Sequence, residues 1–178
     1  MGSGQGGAAQ VRSRHTGFTQ LEFAVVSVVL GILVFILLDR IAYYQGLAEK
    51  TTVEMTVMNM RSGLRYKVAE MLMHGKAAEL PGLAGKSPVK WLAYPPPQYL
   101  GEARELSWSD MPPGSWGFDG TRGELLYRVR DERNFESARS GDLGLRLRVK
   151  LLKGLASQTG QVSVVGAEIV LVENYRWF

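Results

Sequence analysis

The stretch Gly17-Phe18-Thr19-Gln20-Leu21-Glu22, continuing as FAVVSVVLGILVFILL (Phe23–Leu38) and closed by Asp39-Arg40, decides the fold. From Phe18 to Leu38 it is an apolar run of 21 residues whose only charge is Glu22. A helix rises ~1.5 Å per residue, so the run covers the ~30 Å hydrocarbon core of a bilayer. No later segment is long and apolar enough to do the same. An ordinary secretory signal would be cut after such a run, beside small residues. Leu37-Leu38-Asp39-Arg40 offers no small-x-small site, so the run is expected to be retained.

Working upstream, residues 1–17 are rich in glycine, contain Arg12 and Arg14 and hold no acid. Such a segment cannot bury a core and reads as a disordered basic leader. The two arginines keep the N-terminus cytoplasmic, which puts Ile41 onward on the far side of the membrane. Downstream, the helix is expected to run on. Between Ile41 and Met73 there is no proline, and Gly46 and Gly63 are the only glycines. Val57, Met60, Leu64, Val68 and Met71 fall on one face, with Arg61, Arg65 and Lys67 off it. His74-Gly75 supplies a stop, Gly75 taking the left-handed position and His74 the negative end of the helix dipole. The chain thus divides into a leader (1–17), a transmembrane half-helix (18–38), an amphipathic half-helix (39–75), a proline-rich loop region (76–114) and a C-terminal sheet (115–178).

All seven prolines lie between Pro81 and Pro113, so that stretch reads as loop or extended chain. After it the apolar period changes to two. Trp116 and Phe118 alternate. Leu125, Tyr127 and Val129 alternate with Leu126, Arg128 and Arg130. Leu143 to Leu151 alternates with Gly144, Arg146, Arg148 and Lys150, and Val162 to Glu173 is β-branched. These segments predict an antiparallel sheet of about three to five strands with one apolar face. The fold class expected is α+β, a long N-terminal helix packed on a small sheet.

Gly17, Phe18 and Glu22 placed before an apolar run resemble the processing site of type IV pilins and type II secretion pseudopilins. That family has a short basic leader ending in glycine, an aromatic first mature residue and a glutamate five residues after the cut. Gly31 matches a helix glycine common in the family, and Trp116–Val129 resembles its strand–turn–strand segment. The resemblance implies cleavage between Gly17 and Phe18 and N-methylation of Phe18 by a prepilin peptidase. It also implies a role for Glu22 in filament assembly, opposite the new α-amino group of a neighbouring subunit. A carboxylate in hydrocarbon costs on the order of 2.5–3.5 kcal/mol, so Glu22 calls for a cation at its own depth. The implied partners are the prepilin peptidase, other pilins or pseudopilins, an inner-membrane assembly platform and, before assembly, membrane lipid. The implied location is the bacterial inner membrane, single-pass, with a periplasmic C-terminal domain, and then a periplasmic or surface filament. Asp39 stands where many pilins have proline, and the chain has no cysteine for the disulfide of many major pilins. Both features favour a minor pilin or pseudopilin. The alternative is a binding module at the filament tip, an adhesin or DNA-uptake receptor on the same anchor.

Composition narrows the remaining classes. The formal net charge is +4, of which the leader arginines supply two, so the folded part is mildly basic and nucleic acid is not an expected partner. No cysteine and only His15 and His74 argue against thiol catalysis or a His-rich metal site. No triad or nucleotide-binding glycine motif is present, and neither enzymatic activity, cofactor nor metal is expected. Arg128, Arg130, Arg146, Arg148 and Lys150 are expected to form a solvated basic face. Asp119 and Glu124, which could suit calcium, read as flanks of a hairpin turn. Trp91, Tyr94, Tyr99, Trp108 and Trp116 are expected to pin the proline-rich segment onto the sheet.

Overall fold

The computed structural model of the chain describes residues 19–155 and 162–178. The fold is α+β, as expected from the change of apolar period. Helix α1 (Gln20–Met73) runs unbroken for 54 residues. The chain forms two compact units, the first ending at Tyr43 and the second comprising Tyr44–Phe178.

Helix α1 stops where its sequence directs. Gly75 has φ +71° and so occupies the left-handed region that side chains avoid. The Gly75 N–H donates to the Leu72 carbonyl at 3.1 Å and the Lys76 N–H to the Met71 carbonyl at 2.8 Å. This bond pair is the Schellman arrangement, which satisfies carbonyls that the last helical turn leaves open. The buried face is Val53, Val57, Met60, Leu64 and Met71, with Val68 packed beside it. Burying each such side chain contributes roughly 1.5–3 kcal/mol, which outweighs helix propensity in holding this half in place.

Strands β1 (Tyr99–Ala103), β2 (Trp116–Asp119), β3 (Glu124–Arg128), β5 (Gly144–Leu155) and β6 (Val162–Leu171) form a sheet in the order β1-β2-β3-β5-β6. Strands β4 (Phe135–Ser137) and β7 (Tyr175–Trp177) pair separately. The pairings are antiparallel except one: β1 runs parallel to β2, so the larger sheet is mixed rather than purely antiparallel. The cause is the connection over residues 104–115, which crosses the face of the sheet away from the helix before β2 begins. A parallel pair requires such a crossover, where a tight turn would give an antiparallel one. On its way the connection buries Leu106 and Met111 against Leu126, a second apolar cluster.

The other side of the sheet carries the main core. Leu125, Tyr127, Val129, Leu145, Leu147, Val149 and Ile169 pack with the helix residues named above. The proline-rich region is more structured than a loop. It contains 3-10 turns at Ala77–Leu83 and Pro88–Trp91 and delivers strand β1. Trp116 is buried in the main core, while Trp91 and Tyr99 pack against it. Trp108 packs on the second cluster, whereas Tyr94 is 84% exposed and pins nothing.

Polar bonds fix the helix on the sheet within the second unit. Glu49 Oε1 accepts from the Tyr127 hydroxyl at 2.7 Å and from the Arg130 N–H at 2.8 Å. Burial, followed by that bond to Glu49, pushes the Tyr127 phenol above its usual range. Lys50 Nζ donates to the Trp177 carbonyl at 2.9 Å, which ties β7 to the helix.

Candidate functional site

The first unit holds the features that the sequence singled out. Its apolar side chains are exposed: Leu21, Phe23 and Val25 through Leu38 all appear among the exposed large hydrophobic residues or their exposed neighbours. Soluble proteins rarely expose a contiguous apolar surface of this extent, which marks a membrane or a partner as the missing solvent. The helix is long and apolar enough to cross a membrane, and none of its most apolar window is buried within the chain.

Glu22 lies at the start of this surface, in the third helical position. Thr19 is the N-cap. The Glu22 N–H donates to Thr19 Oγ1 at 3.2 Å, and Glu22 Oε2 accepts from the Thr19 N–H and hydroxyl, each at 2.9 Å. The two residues make a reciprocal capping box. The pattern Thr-x-x-Glu over Thr19–Glu22 announces it, a signal the sequence reading passed over. The box gives Glu22 a structural role beside the one implied by the resemblance. Both cap bonds go to Oε2, and Oε1 takes neither. Gly17 and Phe18, the expected cleavage site, lie outside the described residues.

A second feature of the half-helix was also legible. Ala24, Ser27 and Gly31 fall at spacings of three and four, on one face. A Cβ added at Gly31 would meet open space, so no contact within the chain requires glycine there. Small residues spaced in this way let another helix approach closely inside a bilayer. In the second unit, the helix face away from the sheet exposes Met55, Met58 and Tyr66.

The expected basic face does not form as one surface. Arg146 is buried, and its guanidinium donates to Asp142 at 2.8 and 2.7 Å and to Glu124 at 3.4 Å. It lies 5.1 Å from the centroid of the Trp108 ring, whose indole N–H donates to Asp142 Oδ1 at 3.0 Å. Burial pushes the Asp142 carboxyl up, but the bonds from Arg146 and Trp108 prevail and hold it below the usual carboxylate range. Arg128 reaches the Trp108 and Met111 carbonyls. These two arginines clamp the crossover onto the sheet, while Arg130, Arg148 and Lys150 remain exposed. The alternation gave the face correctly. It carried no sign that the crossover would cover it.

The Asp119 and Glu124 carboxylates are likewise engaged by their own chain. Asp119 accepts from the Arg122 N–H at 3.0 Å and the Leu106 N–H at 3.4 Å, and Glu124 pairs with Arg146. Among the described residues no group of three or more His, Asp or Glu is placed to hold a metal ion. His74 Nδ1 lies 2.8 Å from the Glu70 carbonyl at the helix end.

No protein-family model matches the chain, and neither a curated protein nor a solved structure matches it.

Proposed function

We propose that this chain is a pilin-like subunit, a minor pilin or pseudopilin of a type IV pilus or type II secretion-like filament. It waits in the bacterial inner membrane on a single helix, with its sheet domain in the periplasm. Prepilin peptidase cuts between Gly17 and Phe18 and methylates the new amine of Phe18. The subunit then leaves lipid and joins other pilins or pseudopilins through the assembly platform. It performs no catalysis itself.

The observation that carries this reading is one continuous helix with two different faces to the world. Its first half is apolar and exposed, and its second half is fixed to a small sheet by a buried apolar face. One element thus supplies both the apolar segment and part of the domain's core, which agrees with the pilin-like pattern that Gly17, Phe18 and Glu22 resemble. Helix association in a membrane rests on close packing rather than on hydrophobic gain, and Ala24, Ser27 and Gly31 supply the small side chains for it. Glu22 supplies the charge. Its cost in hydrocarbon, on the order of 2.5–3.5 kcal/mol, is offset when a neighbour's Phe18 amine lies beside it.

The position before the cut tests the reading at low cost. Gly17→Ala should be processed nearly as the parent, whereas Gly17→Trp should keep the leader, because the peptidase must accommodate this side chain. In the native host, electrophoresis of the Gly17→Trp protein should show a band heavier by about the leader mass. Normal processing of that variant would place the cut elsewhere.

A further inference from the structure

Strand β6 forms one edge of the larger sheet and pairs with β5 alone among the described residues; Ala167 and Ile169 are buried there, while Leu171 is exposed. The Val172 N–H donates to the Arg146 carbonyl, and the register places Leu147 opposite Leu171 and Val149 opposite Ile169. Bonded and non-bonded pairs alternate along an antiparallel ladder. The backbone groups of Ala167, Ile169 and Leu171 therefore point away from β5, outward. The Ile169 carbonyl shows this directly, since it accepts from Arg61 Nε at 3.3 Å. Between this edge and the helix runs an open groove of about 360 Å³, lined by Arg61, Arg65 and Ala167–Leu171.

We propose that this edge takes up an extended segment of a partner protein as a further strand, with acidic side chains on the side facing helix α1. Main-chain bonds to the outward groups of Ala167, Ile169 and Leu171 supply the affinity, and the groove supplies the selectivity. An acid facing the helix meets Arg61 and Arg65. On the opposite side the incoming strand passes Glu168 and Val170, and the proposal puts apolar side chains there. Arg61 holds the place of the absent strand: its long bond to the Ile169 carbonyl is given up to an incoming N–H as the guanidinium turns to the incoming carboxylate. The same two arginines argue against a second copy as occupant. Antiparallel pairing of β6 with its own copy about a two-fold axis at Ile169 would bring Arg61 and Arg65 towards their equivalents, and like charges across a junction oppose association. The inference is independent of the membrane reading, because every residue in it belongs to the second unit.

The test uses the full chain in detergent and two labelled, end-blocked octapeptides, one alternating Glu with Val and one alternating Lys with Val. Fluorescence anisotropy should show binding of the Glu peptide alone. Hydrogen exchange should show new protection at Ala167, Ile169 and Leu171. Arg61→Gln combined with Arg65→Gln should weaken binding about three- to tenfold, the range expected for two partly exposed charge pairs. Arg65→Glu, on an exposed side chain that the fold does not use, should do at least as much without loss of thermal stability. Equal binding of both peptides, binding of neither, or affinity unchanged in Arg65→Glu would overturn the proposal. So would Val170→Cys forming a disulfide between copies, which would make β6 a self-pairing edge.

Discussion

Replacing Glu22 with alanine is expected to leave membrane insertion and leader removal intact and to abolish most incorporation into the filament. The two effects separate because the energies have opposite signs. Removing an acid from an apolar run eases insertion by up to about 2.5–3.5 kcal/mol. In the proposed assembly the Phe18 amine would lose its counter-charge, and an uncompensated buried charge costs about 3–5 kcal/mol. The capping box adds a competing explanation, since its loss alone destabilises the first turn by about 1 kcal/mol. Glu22→Gln separates the two. Glutamine can still reach back to the Thr19 N–H, so it keeps the cap but not the charge. If the charge pair matters, the glutamine variant should assemble nearly as poorly as the alanine variant. Crosslinking to partner pilins, read alongside membrane fractionation, measures both. Full assembly of Glu22→Gln with a defect in Glu22→Ala would leave Glu22 as a cap and nothing more.

The second large effect concerns the sheet domain. Gly144→Val should lower its melting temperature by about 10 °C, corresponding to roughly 3 kcal/mol of overpacking strain. Gly144 begins β5 opposite Arg128, and a Cβ built there would run into the carbonyl oxygen and carbon of Tyr127. These are backbone atoms of the adjoining strand, which cannot rotate aside as a side chain would. Relief requires opening the start of the β3–β5 ladder, and β3–β5 pairing holds Tyr127 and Leu145 in the main core. Gly82→Ala is the control, because nothing lies within reach of a Cβ at that position. Differential scanning calorimetry of the detergent-solubilised chain should separate the two variants, and equal melting temperatures would mean the ladder is looser than its register indicates.

The parts of the fold legible in the sequence are those with long, regular periods. The helix face from Val57 to Met71 and the strands around Leu125, Leu145 and Ile169 repeat their signal several times, while Gly75 marks the helix end and Trp116 with Phe118 marks β2 more briefly. Strands β1, β4 and β7 were not legible. β1 is five residues long, follows three consecutive prolines and has Gly101 at its centre. β4 and β7 have three residues each, too few to show alternation, and exist because Phe135, Tyr175 and Trp177 bury aromatic rings together. The basic face failed for a related reason. Alternation tells which residues share a side of a sheet, while Arg146 was taken inside by Asp142, Glu124 and Trp108, which lie up to 38 residues from it in the chain and share no local pattern. Two local signals at the candidate site were readable, the Thr19–Glu22 capping box and the Ala24, Ser27, Gly31 spacing.

If the apolar half-helix is freed by a cut after Gly17 and then kept, mass spectrometry of the protein purified from its native host should find a mature chain that begins at Phe18, carries one added methyl group on its amine and keeps every residue through Leu38. A mature chain beginning near residue 40 would instead mean that the apolar run is an ordinary export signal that is removed, and that the protein is not a pilin-like subunit.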